Sequence, residues 1–380
     1  MDEKSVKKVF TIKSGYFRFS SNFSMEELTA LLVETTVLYK TVVDLPILPQ
    51  MSSRLEEELI RRSIFGTAAL EGNPLTEEKV GEIISNSNGG VTTERAEKEI
   101  WNLKAAYDHV NTIPTSGSPL KITEELIKQI HAIVTHEIEH ERNIPGRYRN
   151  HKVQVGDSEH GGVYTAPKCL PDIESLMKEY AEWINSDKIM TLDAFLRAPL
   201  AHYHLGLIHP FGDGNGRVAR LVEALVLRFA GVKYVPAMLS NFYYRNMDEY
   251  FLVFSQSRRN KSHDVTAFLK FALRGAVESL NEIKDKITFF IRKFALRDYY
   301  NYLRGKKIVT RRQHDFLTTL LESDLKPFTL KDLFAQSPYK LLYRDVTERT
   351  GRRDLKRLIE LTLLGVTEDK KFALNLRTLG

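Results

Sequence analysis

The 380-residue sequence predicts a mainly α-helical protein, interrupted by one β-hairpin and closed by a smaller separate module. Three observations predict this. Apolar residues recur at three-and-four spacing through most of the chain, as in helices that bury one face. One glycine-rich and proline-containing interval, 144–167, breaks that rhythm. The segment 305–380 then changes character, with short helical patterns, a basic run and two short apolar runs near its end.

Residues 9–22, with Phe10, Ile12, Phe17 and Phe19, read as a short extended arm. Ser24 followed by Glu27 forms a capping-box pattern, opening a helix across Leu28, Leu31, Leu32 and Val33 up to Pro46. Ser52 or Ser53 would cap the next helix, which carries Leu55, Leu59, Ile60, Ile64 and Ala68 and stops at Gly72-Asn73-Pro74. Thr76 with Glu77 and Glu78 begins another. Further helices are predicted over 93–112, 123–140, 169–186, 193–208, 217–229 and 264–303, with Pro199 expected to start, kink or break the 193–208 helix. Between Ile144 and Pro167 lie Pro145, Gly146, Gly156, Gly161 and Gly162, with Val153-Gln154-Val155 and Val163-Tyr164-Thr165 as extended pieces. That pattern predicts a β-hairpin flap. Its strand edges suit either a peptide added as an extra strand or a purely structural hairpin. The implied divisions are an N-terminal helical region 1–110, a core 111–275 holding the flap 144–167, a connecting helix 276–304 and a module 305–380.

Lys plus Arg number 55 against 49 Asp plus Glu, a net charge of +6 with pI near 9.1. Over this length that mild excess permits an acidic partner without requiring one. The single cysteine, Cys169, excludes an intrachain disulfide. The first residues lack the apolar core of a signal peptide, and no stretch reaches about 18 uninterrupted apolar residues. These features predict a soluble cytoplasmic protein with no membrane partner.

The chemistry concentrates between Ile208 and Arg220. His209, Asp213, Gly214, Asn215, Gly216, Arg217 and Arg220 fall within a dozen positions, ahead of an apolar stripe of Val218, Leu221, Val222, Leu225, Val226 and Phe229. Two glycines let successive N–H groups converge into an anion nest, which here would sit at a positive helix N-terminus. Arginines oppose the helix dipole at that end, so Arg217 and Arg220 make better sense with an anion bound. Asp213 suits Mg²⁺ held against the same phosphates, and His209 suits proton abstraction near neutral pH.

The run from His209 to Arg220 resembles the complete Fic-family signature, His-x-Phe-x-(Asp/Glu)-Gly-Asn-Gly-Arg-x-x-Arg. The similarity in helical layout extends over roughly residues 50–275, and the flap falls where that family has a target-docking hairpin, here with Val153, Val155, Val163 and Tyr164. The resemblance implies transfer of AMP from ATP to a Ser, Thr or Tyr hydroxyl of a protein. It implies that His209 is the base, that Asp213 holds Mg²⁺, and that Gly214, Asn215 and Gly216 cradle the phosphates. Arg217 and Arg220 would address the β and γ positions, with Phe211 anchoring the loop.

Upstream, Thr67-Ala68-Ala69-Leu70-Glu71-Gly72 matches the family's inhibitory motif, (Ser/Thr)-x-x-x-Glu-(Gly/Asn), at the end of a helix over about 53–72. By that resemblance Glu71 holds Arg220 away from the γ-phosphate. Tyr243, Tyr244, Tyr250 and Phe251 fall where the family lines its adenine pocket, and Tyr250 matches best. Arg258-Arg259-Asn260-Lys261 departs from the usual pattern and leaves base preference open.

In the last segment, Phe316, Leu317, Leu320 and Leu321 suggest one helix, Thr329 caps a second, and Arg344–Leu358 suggests a third. Leu363-Leu364-Gly365-Val366 and Phe372-Ala373-Leu374 would form a wing. The whole resembles a winged helix-turn-helix. Arg349, Arg352, Arg353, Lys356 and Arg357 give its third helix a basic face, suited to DNA, while protein contact or homodimer formation is the other use of such a fold. Two function classes follow. One is an autoinhibited protein adenylyltransferase that modifies a target or itself. The other is a DNA-associated regulator whose core senses nucleotide. An intact His209 favours the enzyme, and within the enzyme class the loop alone leaves removal of AMP, or transfer of UMP or phosphocholine, as alternatives.

Overall fold

The structure, a computed structural model, describes residues 5–86, 94–114, 121–323 and 326–379. It divides into two compact units, one of residues 1–44 with 48–284 and the other of 45–47 with 285–380. Among the described residues no helix is long and apolar enough to cross a membrane.

The first unit opens with an antiparallel hairpin, β1 (Val6–Thr11) and β2 (Gly15–Ser20), turned at Gly15 with φ 77°. The arm expected at 9–22 is therefore a paired ribbon. Its turn is tied down by Asp172, which accepts from the N–H groups of Ile12 and Lys13 and from the Ser14 hydroxyl. Helices α1 (Met25–Asp44), α2 (Pro49–Leu70), α3 (Glu77–Ser85), α4 (Arg95–Thr112) and α5 (Glu124–Val134) follow. Helix α2 begins at Pro49 and not at a serine cap, because proline's fixed φ is already helical and its missing N–H is not needed in the first turn. Position 93, the expected start of α4, lies outside the described residues. Helix α5 ends well before residue 140, in a turn where Glu137 takes φ 51°.

The flap reduces to β3 (Gln154–Val155) and β4 (Tyr164–Thr165), paired Gln154 to Thr165 and Val155 to Tyr164. Helices α6 (Leu170–Ile184), α7 (Asp187–Met190), α8 (Ala194–Ile208) and α9 (Asn215–Phe229) follow, with α8 and α9 packed along one another at the centre. The α8 sequence is apolar on every side and nearly all of it is buried, as a helix surrounded by others should be. Pro199 neither starts nor ends it. The helix runs through the proline, whose lost hydrogen bond is offset by full burial between neighbouring helices. A 3₁₀ turn, Val235–Ala237, leads to α10 (Leu239–Arg245) and α11 (Met247–Arg259), in a stretch between 229 and 264 where no helix is predicted from the sequence. Gly66 lets α2 lie close on α10, since a Cβ there would meet Asn241 Cα at 2.7 Å.

Helix α12 (Thr266–Gly305) runs from the residue range of the first unit into that of the second. The second unit adds α13 (Arg311–Glu322), α14 (Asp332–Ala335), α15 (Tyr339–Tyr343), α16 (Glu348–Glu360), and the antiparallel pair β5 (Leu364–Val366) and β6 (Phe372–Leu374). Its own core gathers Leu296, Tyr300, Phe316, Leu320, Tyr343 and Leu358. The third helix expected from Arg344 begins at Glu348, because Thr347 caps it by accepting from Thr350 N–H.

Candidate active site

The predicted loop lies between α8 and α9, and the backbone explains its residue types. His209 closes α8 in a left-handed conformation (φ 51°, ψ 58°), a position more often held by glycine. Gly214 takes φ 77° immediately before α9, so the turn needs a residue without Cβ strain. Asn215 locks the loop from within: its Nδ2 donates to the Phe211 carbonyl and its Oδ1 accepts from Phe211 N–H, both at 2.9 Å. Its amide side chain is thereby committed to the loop, and its contribution to an anion nest is its main-chain N–H at the helix start. Phe211 is fully buried and stacks on His131 at 3.7 Å between ring centres.

Side chains outside the motif hold this geometry, and the sequence reading missed them. Arg149 is buried and donates from Nε to the His209 carbonyl and from Nη1 to the Pro167 carbonyl, each at 2.8 Å. Burial lowers its pKa to about 10. His131 accepts at Nδ1 from Gly146 N–H, so its other nitrogen carries the proton and donates to the Asp213 carbonyl at 3.1 Å. Burial brings its pKa to about 4, which keeps the ring neutral. Asn143 Oδ1 accepts from Asp213 N–H at 3.1 Å. Local patterning carries no signal for Arg149 or Asn143, because each meets the loop only after α5 and the flap entry fold back on α8.

His209 lines a cavity of about 300 Å³ together with Glu71, Gly216, Arg220, Tyr250, the flap residues Val155 and Tyr164, and Arg258. Burial first, and then the nearby Arg149 guanidinium, lower its pKa to about 4. It is therefore neutral at pH 7 with a lone pair free to accept a proton. Asp213 and Arg217 lie beyond this wall, at the start of α9. Asp213 Oδ1 accepts from Gly214 N–H at 2.6 Å and from Arg217 at 3.0 Å. Burial raises its pKa, but Arg217 and the Gly214 N–H outweigh that and lower it. Its Oδ2 is buried without a hydrogen-bond donor, 3.6 Å from Arg95 of α4. Among the described residues no cluster of three metal-ligating side chains exists. One spare carboxylate oxygen beside a phosphate nest nevertheless fits a hard cation that takes its remaining ligands from substrate and water.

The two arginines are the most telling groups. Both are almost fully buried. Arg217 Nε and Nη1 and Arg220 Nε have no hydrogen-bond partner, although buried guanidinium donors normally find one. Arg220 Nη2 donates to Glu71 Oε1 at 2.7 Å and to the Thr67 carbonyl at 3.1 Å. Burial raises the Glu71 pKa, but Arg220 and Arg217 outweigh it, so the carboxylate stays ionised at neutral pH. Gly72, with φ 83°, ends α2 and leaves Glu71 at the helix end aimed at α9. A Cβ on Gly216 would run into the Glu71 carboxylate, which therefore occupies the space directly over the glycine nest.

The aromatic cluster separates into distinct places. Tyr250 and Phe251 line the cavity. Tyr243 stacks behind Tyr250 at 5.2 Å, and Tyr244 turns away to pack edge-on against Phe65. Buried His202, itself part of the cavity lining, bridges Glu223 (2.8 Å from Nδ1) and the Tyr250 hydroxyl (2.9 Å from Nε2), and Tyr243 donates to Glu223 at 2.7 Å. On the flap, the Tyr164 hydroxyl donates to the Gly206 carbonyl at 3.1 Å, Val163 is exposed, and the Val153 carbonyl accepts from Ala166 N–H at 3.3 Å.

A glycine-rich loop between two buried helices, offering main-chain N–H groups and guanidiniums with spare N–H donors beside a neutral histidine, is an arrangement suited to a polyphosphate. Residues 121–227 match the Fic/DOC family, and the chain carries a Fic domain. It is 30% identical over 225 residues to the protein adenylyltransferase Fic of Nematostella vectensis, covering 58% of this chain and 48% of that protein. To protein adenylyltransferase fic-1 of Caenorhabditis elegans it is 29% identical over 182 residues, 47% of this chain and 34% of that protein. The chain thus spans about half or less of the length of these curated relatives. Among solved structures, a Fic family protein from Desulfovibrio desulfuricans G20 gives a TM-score of 0.56 at 20% identity, covering 92% of this chain and 95% of that one. Fic-1 from C. elegans gives 0.55 at 22% identity over 68% and 72%. The mainly helical fold is that of Fic proteins.

Proposed function

We propose that the chain is an autoinhibited protein adenylyltransferase, moving AMP from ATP to a Ser, Thr or Tyr hydroxyl of a protein, itself included. The observation that carries this is the buried Arg220, held between the glycine nest and the Glu71 carboxylate while its Nε lacks any acceptor. A guanidinium so placed needs an anion, and Glu71 supplies one from within the chain.

In the active arrangement the N–H groups of Asn215 and Gly216 bind phosphate oxygens while the Gly214 N–H stays on Asp213, with Arg217 and Arg220 neutralising the β and γ groups. Asp213 would hold Mg²⁺, which when bound supplies further charge neutralisation on the phosphates. The target hydroxyl loses its proton to neutral His209 as its oxygen bonds to the α-phosphorus. The bond to the β-phosphate breaks and pyrophosphate leaves. Positioning and fixed charge do most of this work. Arg149 and the left-handed backbone at His209 hold the imidazole at the cavity edge. Tyr250 offers its ring to the nucleoside side, and the flap edge at Val153, Val155, Val163 and Tyr164 receives the target segment. Glu71 blocks the sequence by taking Arg220 and filling the space over Gly216, so ATP binds without its γ-phosphate contact. A pure nucleotide sensor has no use for a neutral imidazole beside the phosphates, which favours the enzyme.

The test is incubation of the Glu71→Gly protein with Mg²⁺ and ATP labelled at either the α- or the γ-phosphate. Retention of α-label alone is expected. Retention of γ-label, or of no label, would overturn the reading.

A further inference from the structure

Helix α16 presents a basic face that transfer chemistry does not use. Its inward side is fixed. Gly351, Leu355 and Leu358 are buried, and buried Asp354 accepts from Gln313 Nε2 at 3.0 Å and from Arg312 Nε at 2.8 Å, pinning the helix to α13. Gly351 passes tight against the Phe334 ring, where a Cβ would sit 3.0 Å from Cζ. The outward side carries Arg349, Arg352, Arg353, Lys356 and Arg357, all exposed. Arg352 is paired with Glu348, and Arg357 lies 3.6 Å from Glu360. Arg349, Arg353 and Lys356 have no acidic partner within ion-pair distance among the described residues.

Two further features bear on what covers this face. Like charges three and four residues apart on a helix repel, so Arg349, Arg352, Arg353 and Lys356 weaken α16 unless an anionic surface neutralises them. The three unpaired cations also span positions 349–356, about 10 Å of helix axis at the standard rise, comparable to the roughly 12 Å width of a DNA major groove. The surrounding order is α13, a short extended piece at Phe328 bridged to Phe372, α14 and α15, a turn from Arg344 to Thr347, α16, then the β5–β6 hairpin. The hairpin tip, Glu368-Asp369-Lys370-Lys371, is charge-balanced, so the helix and not the hairpin supplies the positive field.

We propose that the second unit is a winged helix-turn-helix whose α16 binds duplex DNA in the major groove, with Arg349, Arg353 and Lys356 as the phosphate contacts. This binding stands apart from the transfer reaction and needs neither ATP nor His209.

The experiment is fluorescence anisotropy of a labelled 30-bp duplex titrated with full-length protein at several salt concentrations. Neutralising three to five phosphates predicts a log–log salt slope of about −3 to −4.5, or roughly 40- to 500-fold weaker binding at 200 mM than at 50 mM salt. The triple variant Arg349→Ala, Arg353→Ala, Lys356→Ala should lose most of the affinity and flatten that slope by about 2.7. A control with the same charge change at exposed sites elsewhere, Lys40→Ala, Arg54→Ala, Lys121→Ala, should keep both. All six positions are exposed, and circular dichroism checks that each variant is folded. Absence of binding at 50 mM salt, equal loss in both variants, or equal competition by single-stranded RNA or polyglutamate would overturn the proposal.

Discussion

Replacing Glu71 by glycine removes the proposed inhibitory contact to Arg220 and leaves the proposed catalytic groups in place. The residue stands at the C-terminal cap of α2 (φ −97°, ψ 10°) beside Gly72, where glycine is tolerated, so the fold should survive. The change removes a 2.7 Å charge-assisted hydrogen bond to an Arg220 side chain that is 2% exposed. Such bonds are worth about 1.5–3 kcal/mol. If that free energy now holds Arg220 off the γ-phosphate, its release converts to roughly a 10- to 150-fold faster AMP transfer. Autoradiography with α-labelled ATP, followed by mass spectrometry of the labelled chain, measures it. Glu71→Gln keeps the volume over Gly216 but weakens the charge, and should fall between wild type and Glu71→Gly. The glycine variant should also melt lower than wild type without nucleotide, since a buried guanidinium loses its carboxylate, and should recover when ATP and Mg²⁺ are added. Equal transfer rates in wild type and Glu71→Gly would refute the reasoning.

Two other outcomes follow from named groups. His209→Ala, made in the Glu71→Gly background, should abolish transfer while changing ATP affinity only a few-fold, since the proposed reading assigns the phosphates to the nest and the arginines; retained transfer in a labelling assay would remove His209 as base. His204 is buried and its pKa is lowered to about 4 from 6.5. A depressed histidine pKa favours the folded state fully above pH 6.5 and progressively less as pH falls toward 4, a loss of about 2 kcal/mol by pH 5. Thermal melts of wild type should therefore drop between pH 7 and 5, and His204→Gln should drop less steeply; equal slopes would contradict this.

Much of the site was legible because its chemistry is local. The histidine, carboxylate, glycines and arginines between His209 and Arg220 form one turn and one helix start, so spacing alone places them together. Glu71 was legible only through its match to a family motif. Nothing in the apolar pattern of α2 says which helix its end will meet, and the answer rests on Gly66 letting α2 lie against α10. Arg149, His131 and the His202–Glu223–Tyr250 chain were not legible, since a lone arginine or histidine reads as surface until long-range packing buries it. The flap was placed correctly, but its strands are shorter than the alternating pattern implies, because turn glycines at Gly156, Gly161 and Gly162, all at positive φ, end the pairing early. Pro199 neither starts nor breaks its helix although local propensity disfavours it there, and its burial among neighbouring helices overrides that preference.

The central claim is that Glu71 and the γ-phosphate compete for Arg220. Calorimetry with ADP and with α,β-methylene ATP, which resists transfer, tests it in wild type and in Glu71→Gly. In wild type the two nucleotides should bind with nearly equal affinity, because the γ-phosphate finds its guanidinium taken. In Glu71→Gly the triphosphate should gain at least about tenfold over ADP, the yield of a charge-assisted hydrogen bond near 1.5 kcal/mol, and Arg220→Lys should erase most of that gain. The same triphosphate-to-diphosphate ratio in both proteins would contradict the account.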